Sequence, residues 1–249
     1  MYHHVEADKF SNSRAILEEH LKYIDKNFNV VLPGDPLSKD RTNICLVFDD
    51  ASYSFYSYVF PLLRQIKIKV LLAISPKYIL DSDGGVEKTI RLSVPAEEMM
   101  RGEAYREKVP FCTWRELKEI CASGVVKAAS HSYSHSNLLQ TPNVEDEITK
   151  SKKILEETLS QEINSFVYPY GQFNASIANR VRKNYRYSFA VGAGNNKTWD
   201  GVGGILFRIA ADDLHDPTSL FSQSNLRKYQ FSRFRLFAKK WFMDYRASA

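Results

Sequence analysis

Two groups of side chains in this sequence combine residue types that hold metal ions and move protons. Asp49 and Asp50 are adjacent carboxylates at the end of the apolar run Ile44–Phe48, where buried charge needs compensation. His131 and His135 stand four residues apart, so helical backbone there would aim both rings the same way. One Asp and two His form a three-ligand site for a divalent cation with open positions for water, and the other Asp is left as a base. This combination predicts a metal-assisted hydrolase.

Each group also has an ordinary alternative. An Asp after a strand often caps the next helix, which accounts for one carboxylate of the Asp49–Asp50 pair but not for both. Taken alone, His131 and His135 are also compatible with a pair of ordinary surface histidines that bind no metal. The combination favours a metal site, because hard and borderline ligands occur at the ends of separate strands. Adjacent residues at a strand end point in opposite directions, so the two carboxylates can have different roles.

The elements that must position these residues alternate between short apolar strands and amphipathic helices, which indicates an α/β fold. The Asp pair, the His pair and residues 168–171 all directly follow predicted strands, at the face of a parallel barrel where active-site groups collect. Residues 81–110 are predicted as a surface excursion of functional-loop length. The predicted helices are Ala15–Asn27, Tyr56–Ile66, Thr113–Ser123, Asn143–Leu159 and Ala175–Asn184. The predicted strands are Ile44–Phe48, Val70–Ile74, Val125–Ala129, Ser165–Tyr168, Tyr187–Val191 and Gly204–Ala210.

Composition is that of an ordinary soluble globular protein. The 249 residues are 44% hydrophobic and 25% charged, enough for one large domain or two small ones. The three cysteines show no CxxC spacing, which argues against a disulfide scaffold and fits a reducing compartment. The first residues do not show the basic segment and apolar core of a secretory signal peptide. No apolar run in the sequence is long enough to span a bilayer. We therefore expect a cytoplasmic protein.

Three motifs, in their order and spacing, resemble those of a known enzyme family. They are Val47–Asp50, Ser130–His135 and Phe166–Gly171. Together they resemble the NodB-homology polysaccharide deacetylases (carbohydrate esterase family four) over residues 2–210. The sequence is most similar to the subgroup with an N-terminal Tyr-His motif, which includes poly-N-acetylglucosamine deacetylases. The resemblance implies a distorted, partly open (β/α) barrel, circularly permuted, that binds a divalent cation, usually Zn²⁺.

The resemblance also implies roles for individual residues. By this match Asp50, His131 and His135 are the metal ligands, and Asp49 is the catalytic base that takes a proton from water. The backbone N–H of Tyr170 is implied as a donor to the oxyanion.

The sequence departs from the commonest family pattern at two positions. The family often carries an Arg where Tyr168 stands, and that Arg orients the catalytic Asp. Arg208 is a candidate for this role, and an ordinary surface or ion-pair residue is the alternative. The family usually places its general acid in a Leu-x-His motif after the last strand, which His215 imitates locally. We prefer His3, which matches the N-terminal Tyr-His motif of the subgroup, and we expect the neighbouring His4 to be structural.

Basic charge is concentrated at the end of the chain. The segment between Leu226 and Arg246 has seven basic residues and one acidic residue, a net charge of about +6, whereas the whole chain has a net charge of +5. The remainder of the chain is therefore nearly neutral, which does not favour binding to nucleic acid. We predict a deacetylase domain of residues 1–224 and a basic amphipathic helix of residues 225–249. A helix packed on the barrel explains its apolar positions, whereas a helix lying on anionic lipid explains the charge as well and would place the protein at the inner face of a membrane. These apolar positions are Phe231, Phe234, Leu236, Phe237 and Trp241.

The expected substrate is a carbohydrate. We predict a hydrolase that removes an N-acetyl or N-formyl group from an amino sugar in a polysaccharide or in a lipid- or nucleotide-linked glycan precursor. An O-acetyl esterase is one alternative, since the same centre can cleave esters. A catalytically silent glycan- or membrane-binding module is another, and the intact Asp49 argues against it because a binding module needs no base.

Overall fold

Short strands alternate with helices in the computed structural model, which describes residues 1–192, 194–212, 214, 216–220, 222, 224–225, 227–232 and 235. The strands are β1 (His4–Val5), β2 (Ser11–Asn12), β3 (Asn29–Val30), β4 (Asn43–Ile44), β5 (Val47–Phe48), β6 (Val70–Ile74), β7 (Val126–Ser130), β8 (Ser165–Val167), β9 (Tyr187–Val191) and β10 (Leu206–Arg208). The helices are α1 (Arg14–Asn27), α2 (Phe60–Ile66), α3 (Lys88–Leu92), α4 (Ala104–Glu107), α5 (Trp114–Ala122), α6 (Val144–Leu159), α7 (Ala175–Asn184) and α8 (Pro217–Leu220).

Six strands form one curled parallel sheet in the order β10, β9, β8, β7, β6, β5. The side chains on its two faces pack into separate apolar clusters. Along β6, Leu71 and Ala73 belong to one cluster, and the alternating residues Val70, Leu72 and Ile74 belong to the other. A parallel sheet buried on both faces is typical of α/β folds. The predicted α/β class and partly open barrel are confirmed, whereas the circular permutation stays a prediction.

Two predicted elements differ from the observed ones. The predicted strand Ile44–Phe48 is divided between β4, which pairs with β3, and β5, which joins the main sheet. The helix predicted over Tyr56–Ile66, with a start near Ser54 as an alternative, does begin near Ser54, but its first turn, Phe55–Val59, is π-helical. In this turn the N–H of Phe60 donates to the carbonyl of Phe55. Pro61 has no N–H to donate, so regular α-helical hydrogen bonding cannot continue through this point. The excursion of residues 81–110 contains α3 and α4.

The first residues lie beside β5 and close one side of the barrel. The N–H of Tyr2 donates to the carbonyl of Val47 over 2.9 Å, and the N–H of Asp49 donates to the carbonyl of Tyr2 over 2.8 Å. On the other side, the N–H of Ala211, just beyond β10, donates to the carbonyl of Met1 over 2.9 Å. Met1 and Tyr2 therefore bridge the two edges of the sheet, and they position His3 and His4 over the end of β5.

A buried arginine fastens the excursion to the barrel. The Arg91 guanidinium makes two hydrogen bonds to the Glu116 carboxylate, of 2.8 and 2.9 Å. It also donates to the carbonyls of Val109 and Phe111 and lies 3.5 Å from the centroid of the Tyr53 ring. Bidentate pairing of this kind fixes direction as well as distance. Arg91 thereby holds the excursion against α5 and against the segment that follows the Asp pair.

The end of the chain is described only in part. His215 lies outside the described residues, as does most of the predicted helix of residues 225–249, so its boundary and its two interpretations stay predictions. Within the described part, Phe231 is exposed and no helix is both long and apolar enough to cross a bilayer. The three cysteines are free, with Cys112 buried and the other two half-buried.

Candidate metal centre and active site

Asp49 and Asp50 lie at the end of β5, where the two residues are almost completely buried, with exposed fractions of 2% and 8%. Asp50 and Ala51 both have positive φ, of 70° and 52°, which turns the chain sharply away from the strand. This backbone conformation is rare for residues with a side chain. The turn presents the two carboxylates to different neighbours, as the unequal roles predicted for them require.

His131 and His135 face Asp50 from the end of β7. Their Nε2 atoms lie 3.6 and 3.5 Å from Asp50 Oδ1. The intervening backbone is a turn rather than the helix that their spacing suggested, because Ser132 and His135 have positive φ of 59° and 53°. The turn nevertheless brings the two rings together, with centroids 4.7 Å apart. One ligand atom from each of the three residues lies within 4.8 Å of the others.

The donor atoms of this group fit a divalent cation. His131 Nδ1 donates to the carbonyl of Val167 over 2.8 Å, which leaves Nε2 with a free lone pair. Burial lowers the pKa of His131 to about 4, so the ring is neutral as a ligand must be. Burial would raise the pKa of Asp50, but His135 and His131 outweigh it and the pKa is lowered. Asp50 Oδ1 is buried without a hydrogen-bond partner in the described part of the chain, as expected for an atom reserved for an ion.

Arg208 holds the other carboxylate from across the barrel. Its Nη1 donates to Asp49 Oδ1 over 2.7 Å, and only 6% of the residue is exposed. Asp49 Oδ2 lies 3.8 Å from His3 Nε2 and 4.0 Å from His131 Nε2. Burial would raise the pKa of Asp49, but Arg208 and then the two histidines outweigh it and hold the pKa below its usual range. Arg208 is therefore buried and ion-paired with Asp49, and its role in orienting a catalytic base stays a prediction.

His3 stands opposite, hydrogen-bonded to Asp212. Its Nδ1 lies 2.6 Å from Asp212 Oδ2, and its backbone N–H donates to Asp212 Oδ1 over 3.0 Å. Burial would lower the pKa of His3, but the hydrogen bond to Asp212 and the charges of Asp49 and Asp50 raise it to about 9. In the metal-free protein these effects favour the protonated ring at neutral pH. Sequence reasoning missed Asp212, although a carboxylate two residues beyond the predicted strand Gly204–Ala210 carried the same strand-end signal as the Asp pair.

His4 points to the same centre from β1. Its Nε2 lies 3.9 Å from Asp50 Oδ2. The other oxygen of this carboxylate, Oδ1, faces His131 and His135. The residue is buried, and burial lowers its pKa, so the ring is neutral. We expected His4 to be structural; its position beside a proposed metal ligand had no sequence signal beyond its adjacency to His3.

Tyr170 borders the site, whereas Tyr168 does not. Tyr170 has a positive φ of 57° in the turn Pro169–Gly171, and its ring meets that of His135 edge-on with centroids 4.8 Å apart. Tyr168 is fully buried, and its ring packs on Phe173 with centroids 5.0 Å apart. The position where the family often has an Arg is thus filled here by a core aromatic residue.

Comparisons with solved structures agree with this fold. A polysaccharide deacetylase from Bacillus cereus is similar with a TM-score of 0.71 and 17% identity, over 91% of this chain and 67% of that one. A de-N-acetylase from Aggregatibacter actinomycetemcomitans gives a TM-score of 0.69 with 18% identity, over 92% and 97% of the two chains. IcaB from Ammonifex degensii gives 0.66 with 19% identity, over 90% and 93%. At these identities the likeness shows a shared fold.

Sequence comparisons give the family. The poly-beta-1,6-N-acetyl-D-glucosamine N-deacetylase of Escherichia coli K12 is 26% identical over 102 residues, which are 41% of this chain and only 13% of that protein. The family model described as polysaccharide deacetylase matches residues 37–188, which include the Asp pair, the His pair and the Tyr168–Gly171 turn. Since this match covers more than half of the residues, the chain belongs to the polysaccharide deacetylase family.

Proposed function

We propose that this chain is a metal-dependent carbohydrate N-deacetylase that hydrolyses the N-acetyl group of an amino sugar within a glycan. The observation that carries the proposal is the juxtaposition of an ionised Asp49, a protonated His3 and the convergent donors of Asp50, His131 and His135. Membership of the polysaccharide deacetylase family supports a carbohydrate substrate. The similar Escherichia coli protein, named for N-deacetylation of a glucosamine polymer, supports an amide bond.

Asp50, His131 and His135 are the residues that would hold the cation, and their oxygen and imidazole donors suit Zn²⁺. A divalent cation bound there supplies Lewis-acid polarisation of the acyl oxygen and lowers the pKa of water. The metal dependence and the choice of zinc are part of the proposal.

The chain's own residues account for the proton transfers. Arg208 engages Oδ1 of Asp49, which leaves Oδ2 free to take a proton from the attacking water. The oxygen of this water adds to the acyl carbon, and the acyl oxygen becomes an oxyanion. The backbone N–H of Tyr170 is proposed to donate a hydrogen bond to that oxyanion. His3 Nε2 then gives its proton to the sugar nitrogen as the C–N bond breaks, and Asp212 stabilises the imidazolium beforehand through Nδ1. The products are a free amino sugar and acetate.

A protonated His3 favours amide over ester cleavage. An amine leaves an amide only after its nitrogen is protonated, whereas an alcohol leaves an ester with far less assistance. The hydrogen bond between Nδ1 and Asp212 favours the protonated imidazole, which can supply that proton. A silent binding module is disfavoured, because burying the ion-paired Asp49 and Arg208 has a desolvation cost that glycan binding alone does not require.

The direct test is acetate release from N-acetylglucosamine oligomers by the zinc-loaded chain. We expect release to stop on chelation, to return with Zn²⁺ and to be lost in Asp49→Asn. Release that persists in excess chelator, or full activity of Asp49→Asn, would refute the proposed mechanism. Assays of matched O-acetylated sugars measure the preference for amide over ester.

A further inference from the structure

A cavity lies where the two edges of the main sheet approach each other. The edge strands, β5 and β10, are the ends of this sheet and are not paired with each other. Met1 and Tyr2 bridge them at their carboxyl ends. Residues from both strands also line a cavity of about 440 Å³, a volume within the usual range for small-molecule sites. The proposed reaction makes no use of this space.

Most of the cavity wall is apolar. Val47, Phe189 and Leu206 come from three different strands, line the cavity and belong to one apolar cluster. Trp199 also lines it, and its ring is held in place because its Nε1 donates to the carbonyl of Asp35 over 2.8 Å. Removing hydrocarbon from water into such a space is favourable. The wall therefore suits a ligand with an aliphatic part.

The cavity has an entrance that does not depend on opening the sheet. Leu37 and Lys197 line it and are both exposed, so the cavity meets solvent on their side. At the edge of β10, the Asn196 side chain donates to the carbonyl of Phe207 over 2.9 Å and accepts from its N–H over 3.0 Å. This pairing satisfies the strand edge within the chain. A ligand can therefore enter without displacing a strand.

Two polar side chains of the lining have buried atoms without a partner. Arg208 lines the cavity, and its Nη1 is engaged by Asp49, but its Nε has no hydrogen-bond partner in the described part of the chain. A buried guanidinium N–H without an acceptor has a desolvation cost. Asn195 Oδ1 is in the same position, and this amide presents its NH₂ group instead when it turns over. The cavity therefore lacks a hydrogen-bond acceptor, and a cationic side chain favours an anionic one.

We infer that this cavity binds a free aliphatic carboxylate, such as a fatty acid. Its hydrocarbon chain lies among the apolar lining residues, and one carboxylate oxygen accepts the hydrogen bond that Arg208 Nε lacks. The acyl chain of a phospholipid brings an uncharged ester in place of the carboxylate, which makes it the poorer partner for a guanidinium. The inference goes beyond the proposed function and does not depend on it, because binding alone tests it.

The test is titration calorimetry of butanoate, hexanoate, octanoate and decanoate into the zinc-loaded chain. Saturating acetate is present throughout, so that any carboxylate position on the metal is already occupied, and the series is repeated in excess chelator. Each methylene that enters the cavity is expected to tighten binding about fourfold. Decanol has the same chain without the charge and should bind about tenfold more weakly than decanoate. Equal affinities along the series, or no binding because the cavity holds water only, overturn the inference.

Two substitutions of Cys45 locate the binding. Cys45 lines the cavity, is half-buried with a free thiol and is not among the residues of the proposed active site. Cys45→Phe fills the cavity and should weaken decanoate binding at least tenfold, whereas Cys45→Ala leaves room and should keep it. Carboxylate bound at the metal would not respond to either change. Unaltered decanoate affinity in folded Cys45→Phe contradicts the inference.

A variant at the entrance tests the same site with less effect on packing. Leu37→Asp places a carboxylate where the ligand enters and should weaken decanoate binding about tenfold. Leu139→Asp is the matched control, since this exposed leucine does not line the cavity, and it should bind decanoate as wild type does. Flotation with phosphatidylglycerol vesicles tests the other source of an acyl chain. Vesicle binding that requires Leu37, without decanoate binding, overturns the assignment to a free carboxylate.

Discussion

Replacing Asp212 with asparagine removes the charge that keeps His3 protonated. Burial by itself lowers the pKa of His3, and the hydrogen bond to Asp212 is the largest of the opposing effects that raise it from 6.5 to about 9. The amide keeps the size of the carboxylate but not its charge, so we expect the pKa to fall towards 6.5. In the metal-free protein the protonated fraction at pH 8 would then drop from about 90% to about 3%, a roughly thirtyfold loss of imidazolium. At pH 6 both proteins stay mostly protonated.

The assay is the pH profile of kcat/KM for the zinc-loaded Asp212→Asn variant between pH 5.5 and 9.5. We expect its alkaline limb to move to lower pH by about two units, with near wild-type activity at pH 6. A bound dication lowers the pKa of His3 in both proteins. The quantity compared is therefore the difference between the midpoint pH of the alkaline limb in wild type and in the variant. Asp40→Asn, at an exposed loop carboxylate, is the control and should leave the limb in place. An unmoved limb in Asp212→Asn would refute His3 as the acid held by Asp212.

The same variant has a second readout in the metal-free protein. A histidine whose pKa is higher in the folded than in the unfolded state stabilises the fold below the unfolded value and loses that contribution as pH rises through the folded value. The window for His3 runs from 6.5 to about 9, and the shift corresponds to about 3 kcal/mol. Urea unfolding should therefore show wild type losing more stability than Asp212→Asn between pH 6 and 9.

Three further substitutions test separate parts of the structure. Arg208→Met leaves Asp49 buried without its cation, so the acid limb of kcat/KM should move to higher pH and kcat should fall about a hundredfold; an unchanged limb contradicts the ion pair. His4→Phe should weaken zinc binding about tenfold in competition with a chromogenic chelator, since His4 Nε2 lies 3.9 Å from the carboxylate proposed as a ligand. Arg91→Met should lower the free energy of unfolding by about 3–5 kcal/mol, and adding Glu116→Gln should recover part of it; no recovery argues against the buried pair.

Strand ends were the part of the site that sequence patterns could locate. The Asp pair, the His pair and the turn at Tyr170 all follow short apolar runs, and parallel strands bring their carboxyl ends to one edge. The metal-ligand geometry of Asp50, His131 and His135 agrees with the roles that the family resemblance implied, and those roles remain proposals. The backbone between the histidines was different, because left-handed residues produce a turn where spacing alone suggested a helix.

Long-range pairs had no local signal. Arg208 is 159 residues from Asp49, and Asp212 is 209 residues from His3, so the sequence allowed each to be an ordinary polar residue. The excursion was recognisable by its weak periodicity, but its attachment through Arg91 depends on two carbonyls and a carboxylate that lie 18 to 25 residues further along the chain. Such contacts exist only after the chain has closed on itself.

The sequence by itself determined the α/β class, the family and the set of side chains available for metal binding and proton transfer. These follow from local periodicity and from motifs whose residues are near one another in the chain. Only the tertiary structure decided which carboxylate faces Arg208 and that His3 is held by Asp212. The physical reason is that each depends on closure of the barrel by residues 1–5 between its two edges, which sets distances and burial that no local pattern encodes.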